Sequence, residues 1–294
     1  MIETFNAVLP HGITLHTRAC GRGARQVMLL HGFPEAAFVW DGLMQRLAPH
    51  ARCVAPNLRG YERSSAPTDP AAYRARHLVA DVVALIEQTG APLDLLVAHD
   101  WGGALAWNLA AQRPDLLRRL FIINSPHPAT FLRELRDNPA QQAASAYMNF
   151  LVRDDAAALL AEDDHARLWP FFEKMGAATW LDEPTRQRYR NVWQHGLQGA
   201  LAWYRASPLR PPTAPDDAIN ALQLPDEAVT SRVPTTVLWG EADTALLPGL
   251  LQGLERWVPE LRLVRVAGAS HWIVHEQPVR VAEEIEHDLG VVAE

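Results

Sequence analysis

Residues 97–103 read V-A-H-D-W-G-G and are the most informative stretch of the sequence. It follows an apolar run, Leu93–Val97, and precedes an alanine-rich segment, Ala104–Ala111. An apolar run, a short break and a helical pattern predict a strand, a tight turn and a helix. The small residues on both sides of the turn allow the strand and the helix to pack closely around a strained bend. The bend is therefore expected to project the carboxylate of Asp100 away from the sheet.

The same alternation of strand and helix continues on both sides of this turn. The strand candidates are Val27–Leu30, Cys53–Ala55, Leu93–Val97, Leu120–Ile123, Thr235–Trp239 and Leu261–Val266. The helix candidates are Trp40–Ala48, His77–Thr89 with a stop at Gly90, Pro248–Trp257 and Pro278–Asp288. Alternating strands and helices predict an α/β fold, with a mostly parallel sheet and helices on both of its faces.

One long segment interrupts this alternation. After Asn124 the sequence shows only helical periodicity, from about His127 to Pro208. We therefore expect an α/β core in two parts, residues 1–125 and 231–294, with a helical insertion at residues 126–230. Because Asn124 lies at the carboxyl end of its strand, the insertion should rise over the sheet edge at which ligands of such folds bind. The insertion is thus predicted to be a lid.

Composition excludes several classes of protein. The formal net charge is −7 and the arginines are scattered, which argues against a nucleic-acid partner. The first residues do not resemble a signal peptide, and no run approaches the roughly 20 apolar residues that span a bilayer. The two cysteines, Cys20 and Cys53, have neither metal-type spacing nor a disulfide framework. We expect a cytoplasmic protein with no membrane partner, metal or cofactor, and the sequence leaves homodimer formation open.

Polar residues follow several strands at the edge where the carboxyl ends of parallel strands meet. Asp100 is followed along the chain by Asp243 and then by His271. The order nucleophile, acid, histidine is that of α/β-hydrolase triads. Glu241 competes with Asp243 for the position of the acid. Asn124, at the carboxyl end of its strand, carries an amide rather than a carboxylate, which favours Asp243 as the acid.

A carboxylate at this turn suggests a different reaction from that of serine, which many hydrolases carry there. Serine needs a base and attacks carbonyl carbon, whereas a carboxylate is already an anion at neutral pH. A carboxylate suits displacement of an epoxide oxygen or a halide from saturated carbon, which leaves an ester on Asp100. His271, oriented by Asp243, would then activate water to hydrolyse that ester. The N–H groups of Phe33 and Trp101 are expected to bind the resulting oxyanion.

Each of these residues also has a purely structural interpretation. Asp100 alone is compatible with a helix N-cap, and His271 alone with an ordinary core or surface histidine. The neighbouring glycines and the presence of all three triad groups favour catalysis. His31 and Glu35 are candidates for supporting positions beside the site, against a role in loop structure alone. His99 is expected to be structural.

Four stretches resemble α/β-hydrolase-fold epoxide hydrolases. They are H-G-F-P-E at 31–35, R-G-Y at 59–61, H-D-W-G-G at 99–103 and G-A-S-H-W-I-V-H-E-Q-P at 268–278. The resemblance runs over nearly the whole chain and implies the same nucleophile, acid, base and oxyanion hole. It also implies two lid tyrosines that donate protons to the epoxide oxygen. Tyr147 in Y-M-N-F and Tyr204 in W-Y-R match these two tyrosines. The match at both positions is informative because the chain has only five tyrosines.

Two residues depart from the family pattern. Glu62 stands where the family commonly has a second glycine, in a loop beside the site whose conformation it could change. Ser270 stands where glycine usually precedes the histidine. Neither departure removes a catalytic group.

The resemblance implies an enzyme that converts a small apolar epoxide and water into a vicinal diol. A haloalkane or haloacetate dehalogenase is the first alternative, since it shares the aspartate nucleophile, and haloalkane dehalogenases also have tryptophan at the position of Trp101. Haloalkane dehalogenases commonly have asparagine at the position of Phe33, and haloacetate dehalogenases tend to have arginine after the nucleophile. These differences, together with Tyr147 and Tyr204, favour the epoxide. A catalytically silent binding protein of the same fold is the second alternative.

Overall fold

The predicted α/β fold is confirmed by the computed structural model, which describes residues 1–176 and 179–291. Residues 177–178 of the predicted insertion and 292–294 at the end lie outside the described residues. The strands of the sheet are β1 (Glu3–Val8), β2 (Thr14–Cys20), β3 (Arg25–Leu30), β4 (Ala51–Pro56), β5 (Leu95–His99), β6 (Leu120–Ile123), β7 (Thr235–Gly240) and β8 (Leu261–Val266). Their order across the sheet is β1-β2-β4-β3-β5-β6-β7-β8, and every pair from β4 to β8 is parallel.

The hairpin formed by β1 and β2 was not predicted from the sequence. These strands pair antiparallel with each other, and β2 pairs antiparallel with β4. β1 is an edge strand in which only Ala7 is buried, so it carries no apolar run. The hairpin brings the two cysteines into register, with Cys20 opposite Cys53, and both are free and buried.

Helices cover both faces of the sheet. In chain order they are α1 (Asp41–Leu47), α2 (Ala75–Thr89), α3 (Trp101–Gln112), α4 (Pro128–Asp137), α5 (Pro139–Ala144), α6 (Tyr147–Leu151), α7 (Ala156–His165), α8 (Trp169–Glu173), α9 (Glu183–Trp193), α10 (Gln198–Ala206), α11 (Asp226–Val229), α12 (Ile273–Glu276) and α13 (Pro278–Leu289). Alternate residues of β3 show the two layers. Val27 and Leu29 belong to the cluster that includes residues of α1 and α13, whereas Met28 and Leu30 belong to the cluster that includes residues of α2 and α3.

One helix prediction was wrong. Residues Pro248–Trp257 do not form a continuous α-helix but two short 3-10 turns, Pro248–Leu251 and Leu254–Arg256. Between them Gly253 adopts φ +73°, a left-handed conformation that ends the first turn. The leucines in this segment have helical spacing because each of the two turns buries one side. They do not belong to one helix.

The segment between β6 and β7 is helical, and within its described residues it contains no strand. It comprises α4 to α11 together with a 3-10 turn at Ala218–Ala221. We call the helical segment from α4 to α11 the lid, and the domain boundaries at 126 and 230 stay a prediction. None of the helices in the described part of the chain is both long and apolar enough to cross a bilayer.

Candidate active site

Asp100 occupies a strained turn between β5 and α3. Its backbone has φ +49° and ψ −120°, a conformation that non-glycine residues rarely adopt. The turn is possible only because small residues follow it. A Cβ on Gly102 would lie 2.6 Å from the carbonyl oxygen of Leu30, and one on Gly103 would lie 2.3 Å from the Cβ of Ser125. The local sequence therefore positions the carboxylate at the carboxyl edge of the sheet.

The two oxygens of the Asp100 carboxylate face different partners. Oδ1 accepts a hydrogen bond of 2.7 Å from the N–H of Phe33. Trp101 is the first residue of α3, so its N–H has no hydrogen-bond acceptor within the helix. Oδ2 lies 3.8 Å from Nε2 of His271. One oxygen is thus held by the predicted oxyanion hole, and the other faces the predicted base.

His271 is held by Asp243. Nδ1 of His271 lies 2.7 Å from Oδ2 of Asp243, so Nε2 is the ring nitrogen left to face Asp100. Both side chains are buried. Burial lowers the pKa of His271, but the charge and hydrogen bond of Asp243, together with the charge of Asp100, outweigh burial and raise the pKa to about 9. The ring therefore favours its protonated form while both carboxylates are charged.

Asp243, rather than Glu241, contacts the histidine. Oδ1 of Asp243 accepts hydrogen bonds from the N–H groups of Ala245 and Leu246 at 2.8 and 2.9 Å. Burial raises the pKa of Asp243, but His271 and hydrogen bonds from the N–H of Leu246 and the amide of Asn124 bring the pKa below its usual range. The carboxylate of Glu241 instead binds Arg265, with Nε at 2.6 Å from Oε1.

Asn124 also acts on Asp243. Its Nδ2 donates a hydrogen bond of 2.8 Å to Oδ2 of Asp243, and its Oδ1 accepts one of 2.8 Å from the N–H of Gly240. The amide at the end of β6 therefore orients the acid at the end of β7 instead of replacing it.

Tyr147 on α6 and Tyr204 on α10 lie over the nucleophile. Both line the same cavity as Asp100, and their ring centres are 6.4 Å apart. The ring of Tyr204 packs edge-on against Phe33 and Trp101, with centres at 5.2 and 4.9 Å. Burial, followed by neighbouring charges that include Asp100, raises the pKa of both tyrosines well above the usual value. Both hydroxyls therefore keep their protons at neutral pH.

The helix that carries Tyr204 contacts the core through two close approaches. Gly60, with φ +88°, packs against Gly199 so tightly that a Cβ on either residue would lie within 2.6 Å of the other's backbone. Nε1 of Trp203 donates a hydrogen bond of 2.9 Å to the carbonyl of Arg59. The R-G-Y loop of the core thus sets the position of α10, and with it Tyr204.

His31 supports the loop that carries Phe33. Its Nδ1 lies 2.9 Å from the carbonyl of Gly32, and its Nε2 accepts a hydrogen bond of 3.1 Å from the N–H of Leu58. Burial lowers the pKa of His31 to about 4, so the ring is neutral at pH 7.

Glu35 lies at the centre of a buried polar network. Its Oε2 is 3.2 Å from Nδ1 of His99, whose Nε2 is 3.0 Å from the carbonyl of His271. Its Oε1 accepts a hydrogen bond of 2.7 Å from the hydroxyl of Tyr189 and lies 2.7 Å from Nε2 of His275. Burial raises the pKa of Glu35, but His275 and His99 hold it well below its usual range. Glu35 is therefore a buried carboxylate that contacts both core and lid.

The lid residues that bind this network were not predicted from the sequence. Tyr189 is on α9, 154 residues from Glu35, and Nε1 of Trp193 on the same helix donates a hydrogen bond of 2.8 Å to the carbonyl of Pro34. Trp180 stacks on His275, with ring centres 4.0 Å apart. The sequence shows that the lid is rich in tryptophan, but it does not show which core residues these tryptophans contact.

The two departures from the family pattern have local explanations. Glu62 adopts φ +49°, in the left-handed region that favours glycine, and its carboxylate contacts Asn57 and His16. Ser270 accepts a hydrogen bond from the N–H of Trp272 and donates one of 2.5 Å to Glu276. The loop beside the site thus holds Glu62 in a left-handed conformation.

A cavity of about 380 Å³ opens onto Asp100, Tyr147 and Tyr204. Most of its lining is apolar, and it extends away from Asp100 along α3. Within residues 1–176 and 179–291, no group of three His, Cys, Asp or Glu side chains is arranged to hold a metal ion.

The sequence and the fold of this chain are similar to those of known proteins. Residues 26–278 match the family described as having the alpha/beta hydrolase fold. The chain is 34% identical to the AB hydrolase superfamily protein YfhM of Bacillus subtilis (strain 168), over 94% of each chain. It is 30% identical to Epoxide hydrolase 4 of Mus musculus, over 91% of this chain and 74% of the relative. A crystal structure of an epoxide hydrolase from Bacillus megaterium superposes with a TM-score of 0.89 at 30% identity, over 97% of this chain and 100% of the other.

Proposed function

The chain belongs to the α/β-hydrolase-fold family, and we propose that it is an epoxide hydrolase that converts apolar epoxides to vicinal diols. The similarity to epoxide hydrolases in sequence and in structure supports this activity. The observation that carries the proposal is the presence of one carboxylate and two protonated tyrosines in a single apolar cavity. This set can attack a strained ether carbon and protonate the departing oxygen at the same time.

In the first step Oδ2 of Asp100 attacks one carbon of the epoxide, and the bond from that carbon to the ring oxygen breaks. Tyr147 or Tyr204 gives its proton to that oxygen, which becomes a hydroxyl group. The products are an alkyl ester of Asp100 and a tyrosinate. Two tyrosine donors suit an epoxide because its leaving oxygen is basic, whereas a departing halide needs no proton.

In the second step water attacks the ester carbonyl of Asp100, and Nε2 of His271 takes a proton from that water. The negative charge develops on Oδ1, which already accepts a hydrogen bond from the N–H of Phe33, and the N–H of Trp101 would complete the oxyanion hole. Collapse breaks the bond to the diol oxygen, which receives the proton from His271. The proton lost when Asp100 ionises again restores the tyrosine.

The charge of Asp100 links the two steps. In the free enzyme this charge helps to raise the pKa of His271. Formation of the ester removes the charge, so the pKa of His271 should fall when the histidine has to act as a base. Asp243 remains charged and stabilises the imidazolium that forms.

We assign supporting positions to Glu35 and His31. Through His99, Glu35 stabilises the main chain at His271, while its other oxygen binds the lid residue Tyr189. His31 supports the loop whose N–H binds Oδ1 of Asp100. Neither residue contacts the reacting atoms in this assignment.

Product analysis tests the activity. Incubation with styrene oxide should give phenylethanediol, whereas 1-bromobutane and chloroacetate should release no halide. Halide release without diol formation would instead identify a dehalogenase, and inactivity on all three compounds would favour a binding protein.

Isotope labelling tests the ester mechanism. With enzyme in excess over styrene oxide in water enriched in heavy oxygen, a single turnover should put the heavy atom into the Asp100 carboxylate, detected by peptide mass spectrometry. Heavy oxygen in the diol but not in Asp100 would mean that water attacks the epoxide directly.

A further inference from the structure

We infer that the cavity selects elongated, uncharged epoxides whose far end carries a hydrogen-bond donor, bound by Asn108 on α3. This inference rests on the proposed function, because it concerns the part of the substrate that does not react. It assigns a binding role to a face of α3 that is remote from the catalytic groups.

The cavity follows one face of α3. Its lining includes Trp101, Ala104, Leu105, Asn108 and Gln112, which are spaced as residues on one side of a helix. With a rise of about 1.5 Å per residue, Asn108 lies about 12 Å and Gln112 about 18 Å along the helix from Asp100. The cavity is therefore a channel that runs away from the nucleophile, and a substrate that fills it is long.

The walls of the channel are apolar, and the outer end is open. Between Asp100 and the mouth the channel is lined mainly by Tyr73, Leu78, Leu105, Pro128, Phe131, Leu209 and Val229. Leu105 is buried, Asn108 is half-buried, and Gln112 is exposed beside the exposed residues Ala75 and Ala228. A chain of about ten bonds spans the distance from Asp100 to Asn108, so the end of such a chain stays inside the channel.

The charges in the channel exclude an anionic tail. Asp100 is the only charged side chain lining the channel among the residues that the structure describes. A carboxylate at the level of Asn108 would lose much of its hydration without gaining a cationic partner, which is unfavourable. A neutral tail has no such penalty.

Asn108 gives the tail a specific partner. Its Nδ2 donates a hydrogen bond of 2.8 Å to the carbonyl of Ala104 within the helix. This bond uses one of the two hydrogens of Nδ2 and leaves Oδ1 able to accept a hydrogen bond from a ligand. A tail that ends in a hydroxyl or primary amide group can donate to it.

Three terminal epoxides of equal length, each with a chain of about ten carbons, test the inference. They end in a primary amide, a carboxylate or a methyl group, and the first two have nearly the same shape. We expect kcat/KM for the amide to exceed that for the carboxylate about tenfold or more at pH 7.5. The amide should exceed the methyl compound by about twofold to tenfold. A carboxylate used as well as the amide would overturn the inference.

Charge variants provide the reciprocal test. Asn108→Arg should raise the carboxylate-to-amide ratio of kcat/KM about tenfold or more by supplying the missing cation. Gln112→Arg places the same charge at the exposed mouth, where folding is not at risk, and should raise the ratio for a carboxylate one helical turn longer. The control is Gln45→Arg on α1, an exposed glutamine on the surface of another helix. A ratio unchanged in both channel variants, or changed equally in the control, would contradict the inference.

Turnover of styrene oxide distinguishes a failure of the channel inference from a failure of the proposed function. Styrene oxide is too short to reach Asn108. If the wild-type protein hydrolyses styrene oxide but does not discriminate among the long epoxides, the channel inference fails and the proposed function stands. If it hydrolyses none of the four epoxides, the proposed function fails.

Discussion

The core and the lid hold their catalytic candidates in different ways. In the core, Asp243 is fixed by hydrogen bonds from two backbone N–H groups, from Asn124 and from His271. In the lid, Tyr204 is positioned by edge-on contacts of its ring and by close packing of α10 on the R-G-Y loop. Hydrogen bonds at strand ends therefore position the candidate groups of the core, whereas close packing of rings and helices positions those of the lid.

This difference suggests a division of labour. The proposed nucleophile and the proposed water-activating pair lie at strand ends, where hydrogen bonds fix their geometry. The tyrosines proposed to protonate the departing epoxide oxygen lie on short helices, which packing holds over the cavity. Changes in the core should thus stop individual chemical steps, and changes in the lid should alter the rate of ring opening and the range of substrates.

The largest effect should come from the core, in His271→Gln. Loss of the base should reduce turnover by about 10⁴-fold or more, while ring opening continues because Asp100 and both tyrosines remain. The ester on Asp100 should accumulate and be detected by mass spectrometry of the intact protein. Absence of an adduct in a variant that still binds substrate would mean that Asp100 is not the nucleophile.

The second effect tests the lid. Replacing Tyr147 and Tyr204 together by Phe should slow ring opening by about 10²- to 10⁴-fold, since general acid catalysis is lost. The measurement is the rate of ester formation in the His271→Gln background. If either single variant already shows the full loss, only that tyrosine is the acid; if the double variant opens the ring normally, the lid assignment is wrong.

The third effect is the pH dependence of ester hydrolysis, which should respond to changes in the core and not to changes in the lid. A raised pKa means that His271 is protonated, and unable to act as a base, over part of the range from 6.5 to about 9. Ester hydrolysis in single-turnover experiments should therefore accelerate as pH rises through this window, with a midpoint at or below about 9. Tyr204→Phe should keep that midpoint, whereas Asp243→Asn should lower it. A rate independent of pH across the window would remove His271 from this role.

The fourth effect tests how packing positions the lid. Gly199→Ala would force α10 away from Gly60, which should destabilise the fold by about 1–3 kcal/mol and reduce kcat about tenfold or more. The matched control is Gly42→Ala on α1, where a Cβ meets nothing within 4 Å and the protein should gain up to about 1 kcal/mol. Urea unfolding and styrene oxide turnover provide the readouts. Equal behaviour of the two variants would show that the close approach does not determine the position of Tyr204.

The smallest effect concerns Glu62. Glu62→Gly removes the strain of a left-handed residue, about 1 kcal/mol, but also removes contacts with Asn57 and His16 of similar value, so stability should change by less than about 1 kcal/mol. Glu62→Ala loses the contacts and keeps the strain, so it should be about 1 kcal/mol less stable than Glu62→Gly. Equal stabilities of the two variants in urea would indicate that the loop carries no strain.

Much of the fold was predictable because its signals are local. The strands β3 to β7 contain short apolar runs, β8 alternates apolar residues with two arginines, and the turn at Asp100 is marked by small residues within a few positions. The hairpin of β1 and β2 was missed because an edge strand with one buried residue has no such run. The turns at Pro248–Leu251 and Leu254–Arg256 were misread because leucine spacing alone does not distinguish a helix from two turns broken at Gly253.

Residue type and short-range spacing are enough to place a carboxylate at the turn and to give the order of the candidate groups along the chain. The contact of Asp243 rather than Glu241 with His271, and the bond of Glu35 to Tyr189 across 154 residues, appear only in the folded structure. The tertiary structure also decided the direction of the channel along α3. These features depend on sheet order and on the packing of the lid, in which many weak contacts between distant segments sum to one arrangement that no single stretch of sequence encodes.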